Sequence, residues 1–65
     1  MSYPKLRGRI REKFGTQDAF AKALGMDPSS LSSKLNGKTE WTRTEIEKAC
    51  ILLEIPLGEA HLYFF

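Results

Sequence analysis

His61 and Cys50 are the side chains of this 65-residue chain whose intrinsic reactivity suits acid–base or nucleophilic work near neutral pH. They stand alone and fall on different predicted helices. No nucleophile–base pair, no metal-spaced His/Cys cluster and no Gly-rich phosphate loop accompanies them. An enzyme is therefore not expected, and neither is a metal, a cofactor or a small-molecule ligand. A lone cysteine also excludes an internal disulfide. Cys50 reads as a small buried hydrophobe and His61 as a surface or half-buried polar group. What remains is the chemistry of hydrogen bonding and charge. Gln17, Ser29, Ser30, Ser33 and Asn36 can donate and accept. The cations are unevenly placed: residues 1–13 carry a net charge of +4, residues 14–38 of +1 and residues 39–65 of −3. One half can face a polyanion while the other repels it. A solvated helix with acidic caps explains the charges alone equally well.

Helices must position these groups. Thr16 to Lys38, TQDAFAKALGMDPSSLSSKLNGK, reads as two short helices around a tight turn. Thr16 caps the first, which runs to Leu24, and Phe20, Ala21 and Leu24 share one face. Gly25 suits the left-handed position after its end. Asp27 caps the second helix and Pro28 opens it. Leu31 and Leu35 then face inward with Met26, and Asn36-Gly37 closes it. Ser29, Ser30, Ser33 and Asn36 lie on the opposite side, with Ser32 and Lys34 on the flanks. Helix, glycine-containing turn and helix make a helix-turn-helix.

A first helix is predicted from Pro4 to about Phe14, with Leu6, Ile10 and Phe14 as its buried stripe. Arg7 and Arg11 flank one side of that stripe; Lys5, Arg9 and Lys13 flank the other. Gly15 ends it. Trp41 reads as a lid over a small core. Thr42 and Glu45 form a capping box for a fourth helix to about Leu53, with Ile46, Ala49, Cys50 and Leu53 inward and Glu45, Glu47 and Lys48 outward. Pro56 opens a final short helix over 56–65, with Leu57, Ala60 and Phe64 on one face. The aromatic end suggests a packed terminus or a contact with a second subunit. The fold class expected is all-α, a compact bundle of five short helices forming one domain over residues 1–65. No stretch approaches the ~20 apolar residues of a membrane span. The first residues lack the apolar run of a signal peptide, so a cytoplasmic protein is the expectation.

Thr16-Gln17, Ala21, Leu24-Gly25, Leu31-Ser32 and Asn36-Gly37-Lys38 stand in the order and spacing of the Cro/repressor family. The chain resembles that family of phage and bacterial DNA-binding domains over essentially its whole length. The resemblance implies a lambda-repressor-like fold and a sequence-specific regulator of transcription, a Cro-like repressor. Such a protein places helix 28–36 in the major groove of double-stranded DNA. It implies Pro28, Ser29 and Ser33 at base edges. Gln17, Asn36 and Lys38 match backbone-contacting positions, and Thr16, Ser30, Lys34, Arg7, Arg9 and Arg43 are further candidates for phosphate. A homodimer, at least on DNA, would bind a palindromic operator with half-sites ~34 Å apart. The chain departs from the family in its base readers. Serine lacks bidentate geometry, so direct readout should be weak, and DNA shape would carry more of the specificity. Some members also join helices 1 and 3 by an Arg–Glu pair, where this chain has Ile10 and Leu35. The alternative is a protein-interaction module or antirepressor that keeps the fold without specific DNA binding. The acidic fourth helix and apolar C-terminal segment fit that alternative.

Overall fold

The first helix, α1, spans Pro4–Phe14 in a computed structural model that describes residues 3–65. Pro4 opens it, where a missing N–H costs nothing. Leu6 and Ile10 are buried and Phe14 is half-buried, as their four-residue spacing requires. Gly15, at φ +83°, ends it.

Local chemistry sets the helix-turn-helix. Thr16 Oγ1 accepts the Ala19 N–H at 3.1 Å and starts α2, Gln17–Leu24. Gly25 terminates α2 in the left-handed conformation, at φ +73°. Asp27 Oδ2 accepts the Ser29 N–H at 3.1 Å, and α3 runs Pro28–Leu35. In α4, Arg43–Leu53, both halves of the capping box form. Thr42 Oγ1 accepts the Glu45 N–H at 3.2 Å, and Glu45 Oε1 accepts the Thr42 N–H at 2.9 Å. The last helix, α5, spans Ala60–Phe64. No strand occurs among the described residues. The fold is all-α with five helices, as expected.

The C-terminal segment departs from the reading of one helix over 56–65. A 3₁₀ turn, Leu57–Glu59, precedes α5. Pro56 is extended, at ψ 138°, and Gly58 is a poor helix residue, so the α-helical ladder starts late. Ile55, ahead of Pro56, is buried, and Leu57 is left 62 % exposed instead of joining Ala60 and Phe64.

The core gathers around α2, which packs against α1, α3 and α4. Phe20 is fully buried, its ring 5.2 Å from that of Phe14. Ile10 and Leu35 both lie in this core, so helices 1 and 3 carry apolar groups where some repressors carry an ion pair. Trp41 closes the other end, edge-on to Phe64 at 5.0 Å, as a lid should. Burial pushes the Cys50 thiol up, which keeps it protonated and inert. No helix among the described residues is long and apolar enough to cross a membrane.

Of the residues expected to point outward on α4, Lys48 is exposed but fastened to α2, and Glu45 is half-buried. Lys48 Nζ donates to the Leu24 carbonyl at 2.9 Å, satisfying an orphan group at the end of α2. Glu45 pairs with Lys34 at 2.9 Å. Burial alone would raise the Glu45 carboxyl, but the Thr42 N–H and the Lys34 ammonium outweigh it and hold it below its ordinary 4.5. The lowered value makes the carboxylate a stabilising group above pH 4.5, with its contribution lost as pH falls through the folded value. Glu45→Gln keeps an acceptor for the cap and removes the charge. It is expected to cost about 1 kcal/mol at pH 7, roughly 4–8 °C in Tm. The gap between the two melting curves should close in acid; a gap constant from pH 7 to pH 3 refutes this role.

Candidate nucleic-acid interface

The Asp27 cap sets where the first turn of α3 begins. Pro28, Ser29 and Ser30 are exposed there, and Ser33, one turn on, is half-buried. The Ser29 hydroxyl donates to Asp27 Oδ2. That hydroxyl, then the Ser29 N–H, holds the Asp27 carboxyl below its ordinary value, so it is ionised at neutral pH. The start of α3 thus carries a negative charge, and its first serine has committed its proton. Ser30 and Ser33 lie beside Met26, Lys34, Thr39 and Glu45 around a depression of about 310 Å³. Ser33 is therefore drawn toward the start of α4.

A second cluster is cationic. Arg7, Ile10, Arg11, Gly15, Thr16 and Gln17 line a cleft of about 260 Å³ between α1 and the first turn of α2. Thr16 and Gln17 both lie here. Helix-start N–H groups, the Gln17 amide and the Arg11 guanidinium have the chemistry of a phosphate cradle. Arg7 is among the candidate phosphate contacts, but Arg11 is not. The signal for Arg11 was its i, i+4 spacing from Arg7 on one side of the buried stripe. Arg7 also donates to the Leu35 carbonyl at 3.0 Å and to Asn36 Oδ1 at 2.9 Å, fixing the cleft relative to the end of α3.

The other expected contacts scatter. Asn36 accepts from Arg7, and its Nδ2 lies 3.4 Å from Ser32 Oγ, so its amide is engaged within the chain. Lys38 is exposed in the loop after α3. Lys34 is only 12 % exposed; it pairs with Glu45, donates to the Glu40 carbonyl at 3.0 Å and stands over the Trp41 ring. Reaching phosphate would require it to leave all three. Arg9 lies where α1 meets the end of α4, its Nε and Nη2 donating to the Leu53 and Glu54 carbonyls, each at 2.9 Å. Arg43 is 92 % exposed, pairs with Glu47 at 3.3 Å and borders an apolar groove by Trp41 and Phe65. Thr16, Gln17, Pro28, Ser29 and Lys38 lie exposed or part-exposed on the helix-turn-helix, while Arg9, Lys34 and Arg43 each have partners within the chain.

The chain is similar to a solved structure, the modulator of repression (MOR) of the temperate bacteriophage TP901-1 from Lactococcus lactis. The two share 44 % sequence identity over 98 % of this chain and 86 % of that one, with a TM-score of 0.88. No curated protein matches the chain. The helix-turn-helix motif resembles that of the Cro/repressor family, but the family profile that matches, over residues 1–65, is the one described as protein of unknown function (DUF739), and the chain belongs to that family.

Proposed function

We propose that the chain is a regulator of phage repression that works by contact with a repressor protein, using its helix-turn-helix more as a scaffold than as a reader of bases. The observation that carries this is the composition of the reading end. Asp27 places a carboxylate beside Pro28 and Ser29, and no side chain there is bidentate toward a base. DNA affinity depends on cations free to meet phosphate. Arg7, Arg9, Lys13, Lys34, Arg43 and Lys48 are all engaged within the chain. The likeness to a modulator of repression supports the regulatory role. No catalysis and no cofactor enter this reading, and the site of action would be the cytoplasm, where repressor and operator meet.

A second reading, a Cro-like homodimer on a palindromic operator, draws on the cleft of Arg7, Arg11, Thr16 and Gln17. The test is retention of a random duplex library at low and moderate salt, with Ser29, Ser33 and Gln17 each substituted by Ala in parallel. Weak retention that collapses with salt and enriches no motif is the expected result. A palindromic motif that disappears on these substitutions transfers the function to operator binding.

A further inference from the structure

Among the described residues, the large apolar side chains left exposed, Ile51, Leu57, Leu62 and Phe65, all belong to the C-terminal third. Two of them, Leu57 at 62 % and Phe65 at 81 % exposure, wall a groove of about 470 Å³ with Trp41 and Ile46. A smaller depression adjoins it, sharing Trp41, Ile46 and Phe65 and reaching Glu40. Such a patch on a 65-residue chain marks an interaction surface. Its charge selects the partner. Glu47 rims the groove, paired with Arg43, and Glu40 lines the adjoining depression. Residues 39–65 as a whole carry a net −3, which repels nucleic acid and disfavours a second, equally acidic copy. The indole N–H of Trp41, on the wall of both depressions, is buried without an acceptor. A backbone carbonyl entering beside a displaced Phe65 would satisfy it.

We infer that the groove walled by Trp41, Ile46, Leu57 and Phe65 and rimmed by Glu47, with Glu40 on the adjoining depression, seats an amphipathic, positively charged segment of the repressor. The inference rests on the repressor-contact reading and assigns the surface that performs it. An apolar side chain of the partner fills the groove, a Lys or Arg beside it meets Glu47, and a carbonyl takes the Trp41 N–H. Arg43 holds Glu47 at 3.3 Å and so competes with the partner's cation.

The competition gives a test with opposite signs. The probe is the purified repressor of phage TP901-1, titrated against the full chain by calorimetry at two salt concentrations. Leu57→Ser and Phe65→Ser remove exposed groups and should fold normally, as circular dichroism will show, yet bind roughly tenfold more weakly. Glu47→Lys should weaken binding at least as much and flatten its salt dependence. Arg43→Ala should tighten binding several-fold by freeing Glu47. If the unsubstituted chain binds and these variants match it, the surface lies elsewhere and this inference fails while the repressor-contact reading stands. If the unsubstituted chain does not bind the repressor, both fail. If sedimentation shows a dimer that Phe65→Ser converts to monomer, a second copy fills the groove and the assignment of the partner is overturned.

Discussion

Phe20→Ala is expected to leave the chain largely unfolded at 37 °C. Phe20 is fully buried on α2, the helix that touches α1, α3 and α4, and its ring lies against Phe14. Removing it loses both the transfer free energy of the ring and the contacts of the atoms around the void, about 3–5 kcal/mol. A domain of this size has only ~3–10 kcal/mol in total. Urea titration followed by circular dichroism measures the loss. The half-buried Phe14 gives the internal comparison, since Phe14→Ala should cost less than half as much. A Phe20→Ala loss below about 1 kcal/mol means that the core is not organised around α2.

Arg9→Met should also destabilise the chain, by about 1–3 kcal/mol, while leaving DNA retention unchanged. Four carbonyls at the end of any helix lack partners inside it. The last turn of α4 contains no basic residue of its own. Arg9 reaches across from α1 to supply that charge and two of the missing hydrogen bonds, to Leu53 and Glu54. Met keeps much of the side chain's apolar packing and removes both donors. Arg9→Lys should recover only part of the loss, because an ammonium lacks the planar fork that reaches two carbonyls at once. Thermal melting reads the stability, and the salt-titrated duplex assay reads the second outcome. An unaltered Tm together with weaker DNA retention makes Arg9 a phosphate contact after all.

These two residues differ in how far the sequence alone discloses their task. The spacing of Phe20, Ala21 and Leu24 marks a buried face by itself. Nothing near Arg9 in sequence distinguishes a phosphate ligand from a cap for carbonyls 44 and 45 residues away. The same holds for Lys34, which reaches Glu45, and for Arg7, which reaches Leu35 and Asn36. A long cationic side chain sweeps several ångströms and settles on whichever oxygen the fold brings near. Its sequence neighbours carry little information about that choice. The candidate interface was therefore legible in Thr16, Gln17, Pro28 and Ser29, whose places follow from local caps. It was not legible in Arg11, whose place in the cleft depends on how α1 crosses the start of α2.

The sequence by itself determined the helices and most of their ends. Thr16, Asp27-Pro28 and the Thr42–Glu45 box act within three residues of the backbone groups they satisfy, so the code for them is short-range. It also determined which faces are buried, because a 3.6-residue period converts composition into a stripe. The tertiary structure decided which charges remain free and which apolar groups remain uncovered. Leu57 became surface because the chain entered a 3₁₀ turn after Pro56 while Ile55 took the buried place. Glu45 and Lys48 became fastenings because α4 lies against the ends of α2 and α3. Both outcomes depend on distances between segments far apart in the chain, which local periodicity does not encode.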